Sequence, residues 1–247
     1  PNRDFVASWR LSGEAPRAAL LAEPERAASP NANATGGHFL LQLQPPAALA
    51  DADVAPREYV FVVDTSGSMA GRPLARAKSL MDRCLGRMRP VDRVQVIRFG
   101  SEAQRLFDDP VIATRESIDK ALGFVEEWYA GGGTEFLPAL ALAFDAPRDP
   151  ARARQIVFIT DGFIGNEAEI LRHIRHHLGG ANLFVLGVGG SVNRYLLEGM
   201  ARLGHGEPFV LLDADPTDEL IGRLFQIISR PALTDLAIDW GALPIAD

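Results

Sequence analysis

Tyr59-Val60-Phe61-Val62-Val63-Asp64-Thr65-Ser66-Gly67-Ser68-Met69 is the stretch that decides how this chain is built. Its first five residues are apolar and mostly β-branched or aromatic, as in a strand buried on both faces. The run stops at a carboxylate, Asp64, and two hydroxyls follow at alternate positions, Ser66 and Ser68. In an open parallel sheet the C-terminal strand tips are where ligands bind. Three oxygen ligands delivered to such a tip suit a hard cation. The plainer alternative is a polar turn into a Ser-capped helix, because Ser and Asp are good N-caps.

Two distant segments favour the cation. Gly131-Gly132-Gly133-Thr134-Glu135-Phe136 sets a threonine between three glycines and an apolar periodic stretch. Gln155-Ile156-Val157-Phe158-Ile159-Thr160-Asp161-Gly162 is a second buried strand that ends in a carboxylate. The three loops together offer Asp64 and Asp161, with Ser66, Ser68 and Thr134. Mg²⁺ prefers octahedral oxygen ligands and keeps waters or a place for an outside group. The loops contain no Cys or His, so they do not build a soft, zinc-type site.

This pattern resembles the metal-ion-dependent adhesion site of the von Willebrand factor A domain: D-x-S-x-S, then a threonine loop, then an aspartate loop. Asp64, Ser66, Ser68, Thr134 and Asp161 meet it without departure. The segments 159–167 (ITDGFIGNE) and 187–194 (GVGGSVNR), with Gly204-His205-Gly206, are similar to bacterial relatives of inter-alpha-trypsin inhibitor heavy chains. The resemblance covers roughly residues 57 to 230. It implies a Rossmann-like α/β fold, doubly wound around a mostly parallel central sheet with helices on both faces. It also implies a divalent cation, Mg²⁺ first and Mn²⁺ or Ca²⁺ as alternatives. Ser66 and Ser68 are expected to coordinate directly, and Thr134 directly or through water. Asp64 and Asp161 supply charge, partly through bridging waters.

Composition fits a globular chain. With 247 residues, 47% hydrophobic and 23% charged, there is material for one large α/β domain and an appendage. A formal charge of −7 argues against a nucleic-acid partner, which calls for a basic stripe. No apolar run approaches the roughly 20 residues of a membrane-spanning helix. The first residue is Pro1 and no signal-peptide pattern precedes it, so the chain reads as a fragment or mature product. The family resemblance implies a cell-envelope, surface or secreted parent. The single cysteine, Cys84, falls on an apolar helical spacing and reads as an inert buried thiol.

Three segments follow from the periodicities. Residues 1–56 form a β-rich flank, with strands expected at 5–11, 18–21 and 38–44. Residues 57–230 form the main domain, in which strand and helix patterns alternate. Helices are expected near 73–88, 115–128, 136–144, 167–178, 194–203 and 217–229. Strands are expected at 93–99, 103–107, 182–187 and 208–212, besides the two quoted. Residues 231–247 alternate apolar and polar positions like a strand, and are expected to pack with the N-terminal flank into a small β-subdomain. Asn33-Ala34-Thr35 is a glycosylation sequon too short to carry weight.

Other patterns give way to ordinary explanations. His173, His176 and His177 fall on the flanks and back of a helix whose apolar face is Ile170, Leu171, Ile174 and Leu178, which favours a solvated face over a zinc site. The 187–192 run lacks the last glycine of a dinucleotide fingerprint. Ser191 lacks the final glycine of a nucleophile elbow, where Asn193 stands. The main enzyme alternative is a haloacid-dehalogenase-type phosphatase with Asp64 as nucleophile. Such enzymes need a second aspartate as general acid where this chain has Ser66, a hydroxyl with no proton-transfer role near neutral pH. Neutral hydroxyls instead leave a cation electrophilic and in want of an anion from outside. The chain is therefore expected to be a non-enzymatic, monomeric binding module whose cation meets an Asp or Glu carboxylate of a protein partner. A structural domain with the metal only stabilising its loops is the alternative.

Overall fold

The computed structural model describes residues 17–24, 37–44, 54–162, 165–190, 192–212, 216–229 and 238–239. The chain divides into two compact units, Pro1–Val54 with Arg230–Asp247, and Ala55–Ser229. In the first unit, β1 (Arg17–Pro24) and β2 (Gly37–Gln44) pair antiparallel, with Arg17 opposite Gln44 and Pro24 opposite Gly37. The strands expected at 5–11 and, apart from Ile238 and Asp239, in 231–247 lie outside the described residues.

The second unit is a three-layer α/β domain. Its strands are β3 (Arg57–Asp64), β4 (Arg93–Phe99), β5 (Ala103–Arg105), β6 (Val111–Ile112), β7 (Ala153–Thr160), β8 (Asn182–Val188) and β9 (Pro208–Leu211). They lie in the order β5-β4-β3-β7-β8-β9, with β6 also paired to β4. The ladders joining β4, β3, β7, β8 and β9 are parallel, and only β5 and β6 run antiparallel at the β4 edge. The helices are α1 (Arg72–Leu85), α2 (Arg115–Glu126), α3 (Phe136–Asp145), α4 (Glu167–His177), α5 (Arg194–Leu203) and α6 (Thr217–Ile228).

Strand periodicity explains why β3 is apolar without interruption. Tyr59, Phe61 and Val63 point into one core with residues of α1, α2 and α6. Val60 and Val62 point into the other, with α3, α4 and α5. Cys84 belongs to the first core, and burial pushes its thiol up to about 12. At the opposite end of the strands from Asp64, the buried Arg154 guanidinium grips Glu58 and the carbonyls of Ala146 and Pro147.

Several boundaries differ from the sequence expectation. Helix α1 stops at Leu85, where Gly86 takes the C-cap, and α2 stops at Glu126. The two-residue β6 carries no periodic signal and is recovered only by its pairing with β4. His173 is not on a solvated face. It is half-buried, stacked between Phe144 at 5.8 Å and His177 at 4.2 Å. Burial, and next the neighbouring His177, lower its pKa. The reason is α3, which packs against α4 and covers a flank that helical spacing alone leaves open.

Three rings brace the top of the second core. Phe158 of β7 lies 5.2 Å from Phe99 at the tip of β4 and 4.9 Å from Phe136 at the start of α3. All three are essentially buried, so the start of α3 is fixed against two strand tips. Phe158→Ala is expected to cost about 3–5 kcal/mol of unfolding free energy. Urea denaturation of parent and variant checks this, and a loss below about 1 kcal/mol would show that the ring does not brace the core.

Candidate metal centre

The last residue of β3 is Asp64, placed beside β4 and β7 and fully buried. Its Oδ1 accepts the Ser66 N–H at 2.8 Å, and its Oδ2 accepts the Thr160 hydroxyl at 2.7 Å. Thr160 Oγ1 in turn accepts the Gly162 N–H at 2.9 Å, which ties the second carboxylate loop to the first. Ser66 is buried in extended conformation, and a 3-10 turn over Gly67–Met69 follows it. That turn brings the exposed Ser68 back, its Oγ 3.2 Å from Ser66 Oγ. The hydroxyls alternate in sequence and meet in space.

Backbone hydrogen bonds hold the threonine loop. Gly131 N–H donates to Thr65 C=O at 2.9 Å, Gly67 N–H to Gly132 C=O at 3.2 Å, and Glu135 N–H to Gly100 C=O at 2.8 Å. Thr134, half-buried, stands between these ties. Gly133 N–H also donates to Ser101 Oγ at 2.8 Å. Gly132 has φ +75° and lies so close to Ser101 that a Cβ would fall 2.2 Å from Oγ, so only glycine fits there. Asp161 follows β7 and is 7% exposed, with its C=O accepting the Asn193 N–H at 3.2 Å.

The structure thus joins Asp64, Ser66 and Ser68 directly through hydrogen bonds. It brings Asp161 near enough for its charge to act on Asp64, and it ties the Thr134 loop to Thr65 and Gly67 through main chain. Sequence reasoning missed Thr160, Ser101 and Asn193. Thr160 directly precedes the recognised Asp161, so strand parity was the available signal. Ser101 and Asn193 act across loops and leave none.

Burial raises the pKa of Asp64, against hydrogen bonds from Ser66 and Thr160 that lower it; the Asp161 charge raises it further. Among the described residues no basic side chain forms an ion pair with Asp64. Asp64, Asp161, Ser66, Ser68 and Thr134 would offer a hard divalent ion an all-oxygen donor set, the kind such an ion takes. Among the described residues no group of three or more His, Cys, Asp or Glu side chains could hold a metal, so any site here depends on hydroxyls.

A family model described as the von Willebrand factor type A domain matches residues 57–208. The chain belongs to the von Willebrand factor type A family. A von Willebrand factor A domain-containing protein of Dictyostelium discoideum is 28% identical over 187 residues, which make up 75% of this chain and 20% of that protein. The chain thus spans about a fifth of the length of that relative. A von Willebrand factor type A structure from Catenulispora acidiphila superposes with a TM-score of 0.66 at 17% identity, covering 90% of this chain and 51% of the other. Manganese-loaded Plasmodium vivax TRAP protein superposes with a TM-score of 0.58 at 20% identity, covering 72% and 75%. These likenesses show the Rossmann-like fold.

The raised pKa of Asp64 has a definite sign. Its folded pKa exceeds the unfolded 3.8, so the folded state favours the neutral acid. That contribution is present below pH 3.8 and is lost as pH rises through the folded pKa. At neutral pH, where the unfolded carboxylate is ionised, burial of Asp64 therefore penalises the metal-free fold. Asp64→Asn is expected to raise the melting temperature of the chelator-treated protein at pH 7, and the gain should shrink as pH falls toward 4. Scanning calorimetry of both proteins across that range checks it. A variant that melts below its parent at pH 7 would show that burial is not the dominant cost.

Proposed function

We propose that the domain is a metal-ion-dependent interaction module and not an enzyme. Asp64, Ser66, Ser68, Thr134 and Asp161 hold one divalent cation, Mg²⁺ first, with Mn²⁺ or Ca²⁺ as alternatives. The observation that carries this is the Asp64 carboxylate. It is fully buried at a strand tip, within the field of Asp161, and no basic side chain among the described residues forms an ion pair with it. A divalent ion compensates both charges at once. The manganese-loaded neighbour of the same fold supports the same view.

Weak hydroxyl donors leave such a cation electrophilic, so a coordination position goes to an Asp or Glu carboxylate of a protein partner. Two carboxylates balance a divalent ion, and the incoming third makes the centre net negative. Contacts outside the centre must then contribute to affinity. Ser66 stands where a phosphatase needs its acid, which argues against hydrolysis. The 159–167 and 187–194 wording favours a heavy-chain-like subtype. Monomeric action and an envelope, surface or secreted setting for the parent protein go with that proposal. No helix among the described residues is long and apolar enough to cross a membrane.

Titration calorimetry is expected to show Mg²⁺ or Mn²⁺ binding that a chelator reverses. At a metal concentration of 100 times Kd, stability should rise by about 2.7 kcal/mol. Asp64→Ala should weaken binding more than Ser68→Ala, because it removes charge as well as a ligand. Absence of binding at millimolar Mg²⁺, Mn²⁺ and Ca²⁺ would sink the proposal. Metal binding that no acidic peptide perturbs would favour the purely structural role.

A further inference from the structure

Beside the metal centre lies a hollow of about 230 Å³ between the β4 edge and the end of α2. It is lined by Arg98, Gln104, Phe124, Glu127, Trp128 and Tyr129. Arg98 leaves β4 one position before its tip, and its Nε donates to Gln104 Oε1 at 2.8 Å. Among the described residues no carboxylate lies within 4.0 Å of that guanidinium, and no basic group pairs with Glu127. Opposite charges thus share one hollow without meeting each other.

The walls are aromatic. Phe124 and Trp128 meet edge to face at 5.8 Å, and Tyr129 is left 78% exposed. Trp128 is 5% exposed, and its indole N–H has no acceptor among the described residues. A buried donor without a partner is a cost the fold leaves uncompensated. Trp, Tyr and Arg are also the residue types that dominate binding energy at interfaces.

We propose that this hollow is a second docking site, for a polypeptide segment carrying an acidic side chain next to a basic one. A guanidinium among aromatic rings is poorly hydrated and pairs bidentately with carboxylate, which assigns the acid to Arg98. Glu127 takes the base, and the methylene stems of both side chains lie on Phe124 and Tyr129. An acid alone would leave Glu127 facing a like charge, whereas the acid–base pair leaves the filled hollow neutral. The site needs no metal. Tyr129 stands two residues before Gly131, whose N–H is tied to Thr65, so a partner held here lies next to the Asp64 loop.

The test uses the 247-residue chain in excess chelator, so that the proposed metal centre plays no part. The probes are blocked peptides containing Glu-Lys, with Gln-Lys, Glu-Leu and free glutamate as controls. The readout is the Trp128 indole N–H resonance, assigned by its loss in Trp128→Phe. The Glu-Lys peptide should shift it saturably, and Arg98→Gln should weaken that binding by about tenfold or more, as expected for a lost charge-assisted hydrogen bond. Glu127→Gln should weaken the Glu-Lys peptide but not the Glu-Leu peptide. Arg98 and Glu127 lie outside both cores, so their variants remain folded and informative if Trp128→Phe does not. No shift, an equal shift by the Gln-Lys peptide or by free glutamate, or indifference to Arg98→Gln would overturn the proposal.

Discussion

A strand buried on both faces can release a polar side chain only at its end. Strand β3 carries five apolar residues shared between two cores, and the next position is Asp64. The sheet therefore places a carboxylate where neither core can accept it and water barely reaches it. Hydrogen bonds from Ser66 and Thr160 ease that burial without reversing it. The loops around Asp64 are arranged about this buried carboxyl group. Moving it one residue earlier would bury it inside the sheet, and one residue later would lose its contact with Thr160.

The same constraint accounts for the hydroxyls. A third carboxylate beside Asp64 and Asp161 would add like-charge repulsion to a desolvated centre. Ser66, Ser68 and Thr134 add oxygen donors at no cost in charge. Their positions come from main chain: the Gly131, Gly67 and Glu135 N–H bonds tie the threonine loop to the tips of β3 and β4. Glycine at 132 is needed because Ser101 occupies the space a side chain would take. The rings of Phe99, Phe136 and Phe158 then fix the start of α3, two residues beyond Thr134. Core packing and site geometry thus share the same three elements.

How much of this was legible in the sequence depended on whether a feature is local. The β3 run, the two carboxylate tips and the glycine–threonine loop are contiguous patterns, and the helices appeared at their expected places. The five parallel strands followed from strand–helix alternation. Features made by distant residues were not legible. β6 exists through its pairing with β4, and the Ser101 contact joins loops about thirty residues apart in the chain. Helical spacing alone leaves His173 on an open face, because it shows one helix at a time and Phe144 arrives from another helix. The Arg98 hollow was invisible for the same reason, since its charges come from a strand and a helix end.

Charge also links the centre to its surroundings. In the proposed function, a centre balanced by a divalent ion would become negative when a partner carboxylate enters, so that contact alone would be a weak way to hold a protein. Affinity then has to come from flanking surface that is neutral or complementary to the partner. The Arg98 hollow answers that requirement in kind: it presents aromatic area with one charge of each sign, and it takes up a segment without adding to the net charge. Its continuity with the Gly131–Thr65 tie keeps it in fixed register with the Asp64 tip. A partner that reads both places is selected by the spacing of its charges rather than by a single carboxylate, which on its own is too common a group to confer specificity.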